Sequence, residues 1–101
     1  MFARLLRGRR RIVDCLELAI DRTDAPFARL GVVVGRKQLP LAVDRNTVKR
    51  IVREAFRLQR SSLPPRELVI RLRTPLKNED RALWRPRVAA AAAKLMLEAA
   101  K

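Results

Sequence analysis

The chain has 101 residues, with 24 Lys+Arg against 10 Asp+Glu and no histidine, for a formal net charge of +14. That length suits one compact domain spanning residues 1–101, and an apolar fraction of 49% supplies a real core, which excludes a disordered basic tail. No histidine and a single cysteine exclude an ordinary zinc site, a Cys–His or Ser–His catalytic pair and an internal disulfide, and the lone thiol suits a reducing cytoplasm. No apolar run approaches the ~18–20 residues of a membrane span. The basic start is followed only by Ile12 and Val13 before Asp14, too short for the hydrophobic region of a signal peptide. So large a positive charge repels itself in a folded chain and points to a polyanionic partner: nucleic acid, an anionic membrane surface or an acidic protein.

In chain order, Phe2, Leu5 and Leu6 with Arg4 and Arg7 between them form a short helical pattern stopped by Gly8. Residues 12–20 alternate, with Leu16, Leu18 and Ile20 on one side and Cys15, Glu17 and Ala19 on the other. This predicts a strand, with Cys15 as a small hydrophobe in its middle. Residues 21–26 read as a turn or loop. Residues 28–35 are dense in valine and closed by Gly35, as in a strand buried on both faces. The simplest pairing of these two strands is an antiparallel hairpin. Pro40 leads into a helix over residues 42–60, ended by Pro64 and Pro65. Residues 67–73 form a further strand. Asn78, Glu79 and Asp80 cap a final alanine-rich helix, in which Pro86 predicts a kink or a second start and Trp84 an anchor.

The helix over residues 42–60 holds the chemistry. With Arg45 set at zero, Lys49, Arg60, Arg53, Asn46, Arg57 and Arg50 fall between about 40° and about 140° at ~100° per residue. Leu58, Ile51, Ala55, Val48 and Val52 occupy about 220–340°, and Phe56 lies on the border near about 20°. Glu54 falls outside the basic arc. Exposed helical faces usually mix signs, because like charges at i,i+4 destabilise; here Arg45, Lys49, Arg53 and Arg57 repeat one sign. The pattern predicts a phosphate-tracking surface, with arginine suited to bidentate phosphate contact and Asn46 to a ribose hydroxyl or base edge. The Val/Ile/Ala/Leu face between two strands suits packing on a sheet, which argues against a membrane-surface helix. The acidic pairs Asp21/Asp24 and Glu79/Asp80 have local explanations as turn and cap residues. No converging carboxylates supply a two-metal nuclease.

Arg36-Lys37, followed after six residues by Asp44-Arg45-Asn46-Thr47-Val48-Lys49-Arg50-Ile51-Val52-Arg53-Glu54-Ala55-Phe56-Arg57, resembles the RNR motif of the bacterial ribonuclease P protein subunit family. Residues 29–34 resemble the strand before that motif, and residues 63–73 the loop and strand after it. The resemblance implies an α+β fold: a two-layer sandwich with a mostly antiparallel sheet, a left-handed βαβ crossover and a central basic helix. It also implies a cofactor protein for a ribozyme, whose RNA subunit uses Mg2+ to hydrolyse precursor tRNA at the 5′ leader, with no catalytic protein side chain and no organic cofactor. Its partners would be the catalytic RNA and precursor tRNA, with one copy per RNA, in the cytoplasm and not on a membrane. Carried over by position, Arg36, Lys37, Arg45, Asn46, Lys49, Arg50, Arg53 and Arg57 would contact RNA, while Glu54 and Phe56 would be structural. A cleft between helix and sheet would hold the single-stranded leader. Thr47 stands where many members place a third arginine. With no tyrosine in the chain, Phe2 and Phe27 are the aromatic candidates for the leader. A basic scaffold for structured RNA, without a role in cleavage, would use the same surface.

Overall fold

The computed structural model describes residues 9–100, with the side chain of Arg9 excepted; the helical pattern of residues 1–7 and Phe2 lie outside them. Four strands and two helices follow in the order β1 (Arg9–Val13), β2 (Leu16–Arg22), β3 (Arg29–Val33), α1 (Ala42–Gln59), β4 (Arg66–Leu72) and α2 (Arg81–Ala99). A 3₁₀ turn over Arg60–Ser62 closes α1 ahead of the two prolines.

The strand expected over residues 12–20 is two strands. Asp14 takes a left-handed backbone (φ 53°), and β1 and β2 pair antiparallel around it, Val13 opposite Leu16. Asp tolerates this region better than most residues, and here its carboxylate is gripped from α2 by Arg87, with Nη2 2.8 Å from Oδ1 and Nε 3.2 Å from Oδ2. Cys15 is therefore a turn residue, and it is fully buried; burial pushes its thiol pKa up.

The expected hairpin with the valine-rich strand does not form either. Sheet order is β1-β2-β4-β3, so β4 sits between the two: antiparallel to β2 and parallel to β3, with α1 as the crossover. β3 is consequently an edge strand, half-buried instead of buried on both faces.

Register aligns Leu16 with Leu72, Leu18 with Ile70 and Ile20 with Leu68 on one face of the sheet. Both helices cover that face. Val48 and Val52 of α1 and Trp84, Val88, Leu95 and Met96 of α2 join the same core. Alanines at 91, 92 and 99 are buried too, letting the backbone of α2 approach closely. Asp80 caps α2 by accepting from the Ala82 amide at 3.0 Å. Pro86 neither breaks nor restarts this helix: its missing N–H falls opposite the carbonyl of Ala82, an exposed residue that water can serve. Trp84 is 1% exposed, an anchor as its position predicts.

On the other face, Glu17 lies opposite Arg71 across β2 and β4 and bonds it at 2.6 Å, with Arg10 at 3.7 Å. The hydrogen bond from Arg71 holds the Glu17 carboxyl below its usual range. A carboxyl depressed on folding stabilises above its unfolded pKa, about 4.3, and loses that contribution as pH falls through and below it. Glu17→Gln is expected to lower stability at pH 7 by about 1 kcal/mol, because Arg71 is half exposed and the pair partly screened. The urea midpoint of the variant should fall less between pH 6 and pH 3 than that of the native chain. Trp84→Ala, by contrast, should cost ~3–5 kcal/mol at every pH in the same titration.

Candidate nucleic-acid interface

Rotation of α1 is set by Val48 and Val52, both fully buried, with Ile51, Ala55 and Phe56 half-buried on either side. Arg50, Arg53 and Arg57 opposite them are thereby turned to solvent. Asn46, Arg50, Arg53 and Arg57, together with Glu54, line an open groove of about 400 Å³. Glu54 thus lies in the basic groove and not outside it. Arg57 grips it with both arms of the guanidinium, Nε to Oε1 at 2.9 Å and Nη2 to Oε2 at 2.6 Å. This pair at i,i+3 holds the Glu54 carboxyl below its usual range and keeps it ionised at neutral pH. Among the described residues, no acid pairs with Lys49, Arg50 or Arg53. Lys49 sits half-buried at the rim, one turn before Arg53.

Arg45 departs from the arc that helical rotation predicts for it. Its side chain folds back along the entrance of α1, and Nη1 donates to the carbonyls of Leu39 (2.9 Å) and Pro40 (2.7 Å). Arg36 and Lys37 are exposed in the turn just before those carbonyls, at the N-terminal end of the helix. At the C-terminal end, Phe27 is 51% exposed and the Arg60 guanidinium stands over its ring, 5.9 Å from the centroid. Phe56 is half-buried against the core and Trp84 is enclosed, so among the described residues Phe27 presents the exposed aromatic ring.

Acids elsewhere in the fold hold other arginines: Asp44 pairs with Arg81, Glu17 with Arg71, and Asp14 and Glu79 with Arg87. These pairs neutralise cations away from the groove and leave its own positive field in place. Bonding to Asp14 raises the pKa of Arg87, which stays charged throughout. Among the described residues, no group of three His, Cys, Asp or Glu side chains converges as a metal site would require. No helix among them is long and apolar enough to cross a membrane. The surface can therefore neutralise and orient phosphates.

A family model described as Ribonuclease P matches residues 1–96. The ribonuclease P protein component of Azoarcus sp. is 44% identical over 81 residues, which cover 80% of this chain and 63% of that protein. That of Bordetella avium is 45% identical over 74 residues, covering 70% of this chain and 62% of the relative. The chain thus spans about three fifths of the length of the curated relatives it matches. Among solved structures, the Staphylococcus aureus RNase P protein superposes with a TM-score of 0.79 at 24% identity, covering 99% of this chain and 88% of that one. The RNase P protein of Thermotoga maritima gives 0.78 at 26% identity, covering 94% and 89%.

Because Glu54 is the one acid in the groove lining, its removal tests the field directly. Glu54→Gln should release Arg57 and strengthen binding to a polyuridine oligonucleotide. The log–log salt dependence should steepen by about 0.7, the value of one added phosphate contact on a single strand.

Proposed function

Since this chain belongs to the ribonuclease P family, we propose that it is the protein subunit of ribonuclease P and binds the catalytic RNA through the exposed face of α1. In this role it assists the RNA-catalysed, Mg2+-dependent endonucleolytic removal of the 5′ leader from precursor tRNA, in the cytoplasm, with one copy per RNA. The observation that carries the reading is the groove of Asn46, Arg50, Arg53 and Arg57, whose three cations outnumber its one acid, Glu54.

The contribution of the protein follows from charge. Catalytic RNA and precursor tRNA are both polyanions, and bringing them together concentrates phosphates that repel. Arg36, Lys37, Lys49, Arg50, Arg53 and Arg57 offset that repulsion and release condensed counterions, which lowers the magnesium needed to hold the assembly together. Arginine forks fix the register of the phosphates they bind, and Asn46 can accept from or donate to a ribose hydroxyl beside them. Magnesium chemistry belongs to the RNA partner in this scheme. Among the described residues, Asp14, Glu17, Asp44 and Glu79 are engaged in ion pairs and Asp80 in a cap, and no three such side chains converge on an ion site. Phe27, steadied by Arg60, is the described aromatic available to stack on an unpaired leader base, with Phe2 as the second candidate.

Adding the chain to catalytic RNA and precursor tRNA at low magnesium tests the reading. Rescue of 5′ cleavage is the expected outcome, whereas tight RNA binding without rescue would leave a structured-RNA scaffold as the function. About six phosphate contacts predict a salt slope near −4, and Arg50→Ala combined with Arg53→Ala should flatten it by about 1–2 while the thermal melt stays in place. An unchanged slope would remove this face from the interface.

A further inference from the structure

The turn before α1 carries Arg36 and Lys37, and its carbonyls are unevenly provided for. Gly35 accepts the amides of Gln38 (3.2 Å) and Leu39 (3.1 Å). Gln38 accepts the amide of Leu76 at 3.0 Å, tying the turn to the segment after β4. Leu41 accepts the amides of Asp44 and Arg45, both at 3.1 Å, and these bonds begin the helix. Among the described residues no backbone amide reaches the carbonyls of Leu39 and Pro40. Both are met by a single group, Nη1 of Arg45, at 2.9 and 2.7 Å.

The geometry matches guanidinium chemistry. Nη1 carries two N–H bonds in one plane, spread so that each can meet one of two successive carbonyls, and the long arginine stem spans the turn from inside α1. Leu39 itself is 1% exposed, so its side chain plugs into the core while its carbonyl is held by this arm. The turn is thus fastened on one side by Leu76 and on the other by Arg45, and Arg36 and Lys37 ride on the same rigid body as Asn46, Arg50, Arg53 and Arg57. Unfastened, the turn would have to be ordered during binding at an entropic cost.

We propose that Arg45 is a positioning residue, an internal latch that presents Arg36 and Lys37 to RNA in register with the α1 groove, and is not itself a phosphate contact. The inference rests on the RNA-binding reading above. It gives one arginine of the motif string a different role from its neighbours, since Arg50 and Arg53 face the partner and Arg45 faces the chain.

A double-mutant cycle on the full chain tests it, with the catalytic RNA as probe and anisotropy titrations over a range of salt. Arg36→Ala with Lys37→Ala should weaken binding about tenfold near 0.15 M salt, the value of two contacts at about −0.7 each. Arg45→Gln alone should cost up to the same factor, and added to the Arg36/Lys37 pair it should change affinity by less than about twofold. In the free protein, Arg45→Gln should speed amide hydrogen exchange at residues 36–39 and leave that of Val48 and Val52 unchanged. Arg45→Lys keeps the charge but not the planar pair of N–H groups, so it should retain most of the defect.

Losses that multiply, with a further slope change of about 0.7, would overturn the inference and make Arg45 a phosphate contact. Full binding by Arg45→Lys would do the same. Should Arg45→Gln fail to fold, the Arg45→Lys chain carries the cycle. A harmless Arg36/Lys37 pair alongside a damaging Arg50/Arg53 pair defeats the latch alone. If neither pair weakens binding, the RNA-binding reading falls with it.

Discussion

Burial of Val48 and Val52 against the sheet is the constraint from which the interface follows. A helix has one rotational degree of freedom about its axis, and two valines one turn apart, both fully enclosed, remove it. Once they point inward, the ~100° step places residues 46, 50, 53 and 57 on the opposite side with no further instruction. Those positions carry Asn and three arginines, so packing of the apolar core and display of the charged groove are one event. The sheet supports this because β4 supplies Leu68, Ile70 and Leu72 to the same face on which β2 supplies Leu16, Leu18 and Ile20.

A chain this basic must also decide which cations to keep. Its acids are placed where arginines serve the fold: Glu17 with Arg71 across two strands, Asp44 with Arg81 between the helices, and Asp14 and Glu79 with Arg87 at the β1–β2 turn. In each case the ion pair joins separate parts of the fold and neutralises an arginine that does not line the groove. Glu54 is the exception, and it orients Arg57 within the lining as well as tempering its charge. The net field of the protein is therefore shaped by subtraction as much as by addition.

Much of this was legible in the residues. The 3.6-residue period over residues 42–60 located α1 and its two faces, and Asp80 marked the start of α2, because both signals are local. Other features depend on partners far along the chain. The alternation of residues 12–20 runs straight through Asp14 and Cys15, which carry neither glycine nor proline, so the turn held by Arg87 left no punctuation. Nothing in residues 28–35 says that they pair with a strand more than thirty residues later in place of the one just before. Arg45 looked like its neighbours because periodicity fixes where a Cα points, while the reach of a long side chain toward two carbonyls depends on the shape of the preceding turn. Glu54 was placed outside the arc by angle, yet its length carries the carboxylate back to Arg57.

The central place of β4 also orders the assembly of the molecule in time. β2 and β3 share no hydrogen bond, and each acquires its inner neighbour only when residues 66–72 arrive. As the chain leaves the ribosome, the β1–β2 ribbon can form early from local contacts, but the floor beneath α1 is incomplete until the last strand slots between two waiting edges. Until then the basic helix lacks the sheet that fixes its rotation, and its charge has no shaped groove. Shape and charge become a binding surface in the same late step that shuts the sheet.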